Sequence, residues 1–236
     1  VGSKEHTLVT HKSAAHSEPP NGYTILRSKF DKWYARKAQE AGATLITKTN
    51  VTELLSQDGK ICGVRTDRGD VSADIVVVGE GANTMLCEKA GLITKRRPDE
   101  MAIAVKEIIA LPPDRIRERF ALGEDEGAAI QYIGALFKGL VGFGFLYTNR
   151  ESLSLGFGAI ISTMMREQIK PYDLMERFKQ EPSVEPLIRD GAVKEYQAHM
   201  IPEAGYAGMP KLFSDGVLVA GDSAMLANPI TGEGAD

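Results

Sequence analysis

An aspartate and three glycines near one end of the chain form its most informative chemical pattern. Asp222 follows Gly221 at the end of the apolar run 217–220, and Gly232 and Gly234 come later in the same segment. The apolar run suits a strand covered on both faces, and Gly221 lets the chain turn out of it. Ligands of open α/β sheets bind at the carboxyl ends of strands, where a carboxylate can accept hydrogen bonds from sugar or polyol hydroxyls. Taken alone, the pattern favours a simple turn with Asp222 as a helix N-cap, the usual role of an Asp before a helix.

A second strand, turn and helix pattern covers residues 74–83 and holds Gly79-Glu80-Gly81 in its turn. A Gly-x-Gly without its third glycine is a weak signal for dinucleotide binding, and an ordinary turn explains it as well. The glycine pairs at 142/144 and 156/158 also lack a third glycine, and they lie in alternating apolar stretches that are typical of strands. The complete Gly-x-Gly-x-x-Gly fingerprint is therefore missing from the sequence.

The elements around these motifs change character near Pro98. Before it, the spacing of Phe30, Trp33 and Tyr34 predicts a helix over 29–41 with both Trp33 and Tyr34 in the core. Asp58-Gly59 predicts a hairpin turn. Short strands are predicted at 44–47, 63–66, 75–78 and 217–220. This part of the chain is typical of an α/β nucleotide-binding domain.

After Pro98 the pattern becomes rich in strands of period two, which predicts an antiparallel sheet with one face on a core or a ligand. The strands are predicted at 101–109, 128–134, 139–148, 152–161 and 193–201. Helices are predicted at 111–120, 171–180 and 184–189.

The motifs together resemble a known family. Gly-Asp-Ser-Ala, Asn-Pro and Thr-Gly-Glu-Gly within 221–234 resemble the second FAD motif of glutathione-reductase-type flavoproteins, in the branch of geranylgeranyl reductases and Fix-type electron-transfer flavoprotein:quinone oxidoreductases. Further similarity to the Fix-type members lies at 23–33, 144–152, 193–196 and 199–206. The resemblance implies an α/β FAD-binding domain, formed by 1–97 and 210–236, which is interrupted by a β-rich substrate or quinone-side domain at 98–209.

The resemblance also implies which residues hold the cofactor. Arg27 would supply a positive charge, Asp222 would hold the ribityl chain, and the backbone near Val51 would meet the adenine. The remaining cofactor-binding residues implied are Gly79, Gly81, Ala82, Gly221, Pro229, Gly232 and Gly234. Because the family's opening phosphate loop is missing, the chain is expected to be part of a longer flavoprotein and to hold FAD weakly or not at all by itself.

By the same resemblance, the protein would pass electrons from reduced electron-transfer flavoprotein to a ferredoxin-like iron-sulfur partner or a quinone. Electron transfer needs no nucleophile, which agrees with the lack of a persuasive catalytic constellation. A prenyl reductase or an aromatic monooxygenase remains an alternative enzyme, and a non-catalytic docking domain is the alternative of another class.

Composition narrows the partners and the compartment. The net charge of −4 gives no electrostatic reason to expect nucleic acid. Cys62 and Cys87 form neither a CxxC pair nor a metal set, which favours a reducing cytoplasm, while peripheral contact with the inner membrane face stays open. His6, His11 and His16 recur every five residues and share a face of neither a helix nor a strand, so we predict no metal site.

Overall fold

The computed structural model describes residues 25–134, 137 and 139–226. The described part is an α/β structure with one five-stranded and two three-stranded sheets, which confirms the predicted fold class. Several residues singled out in the sequence lie outside it, namely His6, His11, His16, Pro229, Gly232 and Gly234.

Most of the predicted helices and strands are present, whereas the helix at 161–166 and the strands at 69–72 and 213–214 were not predicted. The helices are α1 Arg27–Glu40, α2 Met85–Lys89, α3 Pro113–Phe120, α4 Ile161–Arg166, α5 Pro171–Lys179 and α6 Glu185–Ile188. The strands are β1 Val51–Gln57, β2 Lys60–Thr66, β3 Gly69–Ser72, β4 Val76–Val78, β5 Met101–Ala110, β6 Ala129–Tyr132, β7 Gly142–Thr148, β8 Ser152–Ile160, β9 Ala192–Pro202, β10 Phe213–Ser214 and β11 Val217–Val219. Among the described helices, none combines the length and the apolar composition that crossing a bilayer requires.

Packing divides the chain into two units. Of the described residues, the first unit holds those within 25–41, 105–157 and 169–197, and the second holds those within 42–104, 158–168 and 198–226. The division between an FAD-binding domain and a substrate domain, with boundaries after residues 97 and 209, stays a prediction.

In the second unit, an antiparallel sheet of order β1-β2-β3 begins with the predicted hairpin. Asp58 and Gly59 both have positive φ, 50° and 82°, as the tight turn of a two-residue hairpin requires. The strand predicted at 44–47 is wrong, because residues 43–50 contain no strand. Leu45 and Ile46 are exposed there. The segment has residues that favour a strand, but neither a partner strand nor a core stabilises one.

The other sheet of this unit has the order β10-β11-β4 and holds the parallel pair that matters for the site. β11 runs parallel to β4 in the register Val217 to Val76 and Val219 to Val78. Val217, Val219 and Val78 are buried in a core cluster with Cys87 and Ile93. The prediction that β11 is covered on both faces is wrong, because Leu218 is 45% exposed while its neighbours Val217 and Val219 are buried. The described residues of this unit bury one face of the strand pair.

A five-stranded sheet of order β6-β7-β8-β5-β9, most of which belongs to the first unit, packs one face against α5. Leu153 and Leu155 from β8 and Leu174 and Phe178 from α5 have no exposed surface. Gly144 is needed for this packing, because a Cβ at that position would lie 2.7 Å from Cζ of Phe178. The glycine in this strand therefore serves packing, as predicted from the alternating pattern.

Helix α1 begins at Arg27 and buries none of its residues. Trp33 and Tyr34 were predicted to be core residues, and this is wrong, since they are 47% and 63% exposed. The helical spacing is present, but the three rings of Phe30, Trp33 and Tyr34 pack on one another, with Phe30 5.6 Å from each of the other two. Spacing predicted the helix correctly and its burial incorrectly.

Candidate functional site

The turn after β4 is fixed by the carboxylate of Glu80. Its Oε2 accepts a hydrogen bond from the backbone N–H of Leu86 at 2.9 Å, and its Oε1 accepts one from the N–H of Cys87 at 3.0 Å. These donors belong to the first turn of α2, so Glu80 caps a helix whose own N-cap residue, Thr84, makes no capping bond. Glu80 is thus a structural carboxylate, and its bonds hold the Gly79-Glu80-Gly81 turn in place.

Cys87 lies directly beneath this turn and is completely buried. Burial, together with the hydrogen bond and negative charge of Glu80, raises the pKa of the Cys87 thiol to about 12. The thiol therefore stays protonated at neutral pH and has little reactivity, since the thiolate is the nucleophile. Cys87 is thus a core residue of this unit.

The turn after β11 lies beside the turn after β4. Gly221 leaves the strand with φ of +64° and opens a short 3₁₀ helix that ends at Ala224. Because β4 and β11 are parallel neighbours, both turns emerge at the same edge of the sheet. The hydroxyl of Ser223 then donates a hydrogen bond of 2.9 Å to the carbonyl oxygen of Gly81. The structure thereby brings together the two motifs that the sequence analysis identified separately.

The glycines of these turns border open space. A Cβ built on Gly79, Gly81 or Gly221 would have no atom within 4 Å. In the same unit, a Cβ on Gly216 would lie 1.9 Å from the carbonyl oxygen of Ile61, so that glycine serves packing. Glycines with free space around them allow a ligand to approach the backbone closely, and the two turns therefore fit a cofactor lying across them.

A cleft of about 490 Å³ borders β4 and the turn that follows it. Its walls include Asn50, Val51, Thr52, Val77, Gly79 and Lys89. The volume falls within the range of small-molecule sites. Val51 and Gly79, both implied in cofactor binding by the resemblance, thus line one cleft. The ammonium of Lys89 donates a hydrogen bond of 3.2 Å to the carbonyl oxygen of Thr52 and places a positive charge at its wall.

Of the other implied site residues, Ala82 and Asp222 belong to the two joined turns, whereas Arg27 belongs to the first unit. Arg27 is exposed at the start of α1 in the first unit, where its Nε lies 2.6 Å from Oδ1 of Asp31. The role of Arg27 at the cofactor therefore stays a prediction, and Asp31 forms an ion pair on the exposed face of α1. Ala82 follows Gly81 in the first turn and Asp222 precedes Ser223 in the second.

Sequence reasoning missed the function of Ser223 and Lys89. Ser223 was visible as part of Gly-Asp-Ser-Ala, but a hydrogen bond to a residue 142 positions away leaves no local signal. Lys89 is one of 28 basic residues and has no distinguishing neighbour in the sequence.

Comparison with known proteins agrees with this geometry. A family model described as FAD dependent oxidoreductase (DAO) matches residues 14–136. Protein FixC of Azorhizobium caulinodans is 47% identical over 224 residues, which cover 94% of this chain and 52% of that protein. Protein FixC of Escherichia coli K12 is 42% identical over 226 residues, covering 92% and 53% respectively. The chain thus spans about half the length of the curated relatives it matches.

Solved structures share the fold. A geranylgeranyl bacteriochlorophyll reductase-like protein from Thermoplasma acidophilum superposes with a TM-score of 0.71 at 22% identity, over 88% of this chain and 49% of that one. The flavin-dependent brominase Bmp2 superposes with a TM-score of 0.68 at 18% identity, over 90% and 52%. At these identities the likeness concerns the fold alone.

Proposed function

The chain belongs to the FAD dependent oxidoreductase family, and from this premise we propose that it passes electrons from reduced electron-transfer flavoprotein to a quinone or a ferredoxin-like iron-sulfur protein. For a quinone acceptor, two electrons leave the reduced flavoprotein, and the quinone takes up two protons to become a quinol. The identity of 47% to a protein named FixC supports a Fix-type assignment. Peripheral contact with a membrane, where a quinone would be found, is part of the proposal.

The observation that carries the proposal is the hydrogen bond between Ser223 and Gly81. It joins two glycine turns at the carboxyl ends of neighbouring parallel strands, the place where dinucleotides bind in doubly wound folds. We assign Asp222 to the ribityl hydroxyls, the turns from Gly79 to Ala82 and at Gly221 to close backbone contact, and Val51 to the adenine. The same proposal places the positive charge of Arg27 near the cofactor and the backbone of Gly232 and Gly234 at the flavin ring. Pro229 is also proposed to bind the cofactor.

Bound FAD supplies a ring that takes up two electrons and can return them singly or as a pair. The residues of the chain then have to bind, orient and insulate it. Two buried or partly buried groups near the turns are unavailable for acid–base work, because Cys87 stays protonated and Glu80 caps α2. This fits electron transfer, which needs no proton-abstracting side chain.

The first unit offers a surface suited to a flat apolar acceptor. Phe143, Phe145 and Tyr147 follow one another on the same face of β7, with ring centroids 4.8 Å apart for Phe145 and Tyr147 and 6.4 Å for Phe143 and Phe145. Phe145 lies over Gly156, where a Cβ would be 2.3 Å from its Cζ. All three rings are half-buried, so an aromatic surface remains accessible. We propose that this surface binds the quinone. A prenyl chain is the second candidate ligand, because the same apolar rings would also bind it.

The test uses the chain expressed from its complete reading frame. FAD titration, followed by visible absorption and flavin fluorescence, is expected to give stoichiometric binding that Asp222→Ala weakens about tenfold or more, because a charge-assisted hydrogen bond is worth about 1.5–3 kcal/mol. Reduced electron-transfer flavoprotein and a soluble quinone analogue are then expected to support turnover.

Failure of both wild type and variant to bind flavin would remove the oxidoreductase assignment for this site. Binding without quinone reduction, combined with saturation of a prenyl double bond, would favour the reductase candidate. The wild-type protein with each substrate omitted is the control for direct oxidation by oxygen.

A further inference from the structure

Ser223 is a fully buried polar residue in the turn after β11. It has no exposed surface, and Ala224 beside it is equally buried. Burying a hydroxyl costs free energy unless it is hydrogen-bonded, whereas an alanine would bury without that cost. The hydroxyl of Ser223 donates to Gly81 at 2.9 Å. The hydroxyl of Ser223 is therefore important for its hydrogen bond to Gly81.

What Ser223 holds is the glycine turn of the other motif. That turn has two anchors. Glu80 ties it to α2, only six and seven residues further along the chain. Ser223 ties it to the turn after β11, 142 residues away. Ser223 is thus a side-chain anchor between the two cofactor-binding turns, in addition to the backbone hydrogen bond of 2.9 Å from the N–H of Ala220 to the carbonyl oxygen of Val78 where the strands end.

We propose that Ser223 is a positioning residue for FAD: it fixes the spacing of the Gly79–Ala82 and Gly221–Ala224 turns, and the affinity for the cofactor depends on that spacing. The inference rests on the proposed function. A cofactor that crosses both turns gains from each only if they are held at the right separation before it binds. Gly81, at φ of +75°, has no Cβ to hold it by packing, so the hydrogen bond to its carbonyl acts directly on the turn.

The test is Ser223→Ala in the chain expressed from its complete reading frame, with FAD as the probe. The dissociation constant is expected to rise about threefold to tenfold, the range that one lost hydrogen bond produces. The visible circular dichroism of the bound flavin is expected to change as well, because the ring would sit differently. Ser223→Cys keeps a weak donor of similar size and is expected to restore part of the affinity.

The matched control is Ser154→Ala. Ser154, in β8 of the first unit, is also buried. Its Oγ accepts a hydrogen bond of 3.1 Å from Nδ2 of Asn149. Its replacement is expected to lower stability while leaving the dissociation constant for FAD unchanged. Urea unfolding of each apoprotein separates loss of stability from loss of affinity.

Two results would overturn the inference while the proposed function survives. One is a Ser223→Ala protein that binds FAD with wild-type affinity and an unchanged flavin spectrum. The other is a variant with lower apoprotein stability and an unchanged dissociation constant, which makes the bond purely structural. If Ser223→Ala does not fold, Ser223→Cys carries the same measurements. Wild-type protein that binds no FAD overturns the proposed function together with this inference.

Discussion

The ion pair between Glu107 and Lys179 should be a major source of stability in the first unit. The carboxylate of Glu107 on β5 is only 4% exposed, and its Oε2 lies 3.3 Å from Nζ of Lys179 at the end of α5. Among the described residues, this oxygen has no hydrogen-bond donor of good geometry. Lys179 is 21% exposed and also donates to Glu176 at 2.6 Å. Glu107 therefore depends on the charge of Lys179.

Lys179→Met removes that charge while keeping most of the apolar stem. Two unit charges 3.3 Å apart attract by about 5 kcal/mol at an effective dielectric constant of about 20. Removing one partner of a buried pair costs about 3–5 kcal/mol, and partial exposure of Lys179 places the expected loss near 3 kcal/mol. Burial would lower the pKa of Lys179, but its hydrogen bond to Glu176 and the negative charges of Glu107 and Glu176 outweigh this and raise the pKa. The stabilisation is thus complete below the ordinary pKa and is lost only as pH rises through the raised value, so the pair is intact at pH 7.

Urea unfolding at pH 7 measures the effect in a double-mutant cycle. Glu107→Gln alone is expected to cost less than Lys179→Met, because Lys179 keeps Glu176 and some contact with water. Adding Glu107→Gln to Lys179→Met should recover at least 1 kcal/mol, since it removes the unpaired charge. Lys37→Met is the matched control: Lys37 forms an exposed pair with Glu40 at 2.7 Å, and its loss should cost below about 1 kcal/mol. Additive single and double mutants, or a Lys179→Met loss equal to the control, would refute the reasoning.

Three further predictions concern the core and the glycines. The free energy of unfolding should fall as pH rises from about 9 to about 12, because Cys87 keeps its proton in the folded state and loses it in the unfolded state. Cys87→Ala should therefore flatten the pH dependence of the urea midpoint. An identical slope in both proteins would contradict this. Gly156→Ala should cost about 1–3 kcal/mol, since its Cβ would lie 2.5 Å from the carbonyl oxygen of Val105. Gly79→Ala should leave the melting temperature unchanged but weaken FAD binding, and the reverse pattern would exclude close backbone approach at Gly79.

Parts of the fold that depend on local patterns could be predicted from the sequence. The apolar run ending at Gly221 predicted β11, and the run ending at Gly79 predicted β4, because a strand followed by glycine is a local signal. The hairpin at Asp58 also follows from adjacent residues alone. The resemblance to Fix-type flavoproteins added the cofactor, which composition and periodicity do not reveal.

What could not be predicted depends on partners distant in the sequence. Residues 44–47 have the composition of a strand, but a strand needs a neighbour to bond with. Trp33 and Tyr34 have helical spacing, but spacing gives no information about what covers a helix. The link between Ser223 and Gly81 depends on the parallel pairing of β4 with β11.

That parallel pairing also determines when the site can exist during synthesis. Val76–Val78 are translated before the five-stranded sheet. Their partners Val217–Val219 are translated after all five strands of that sheet. With 142 residues between Gly81 and Ser223, and synthesis at about 5–20 residues per second, roughly 7–28 s pass between the two turns. A nascent chain therefore carries half a cofactor site for many seconds. FAD can be captured across both turns only after translation has passed Ser223, so cofactor loading has to follow the synthesis of all the residues between the two turns.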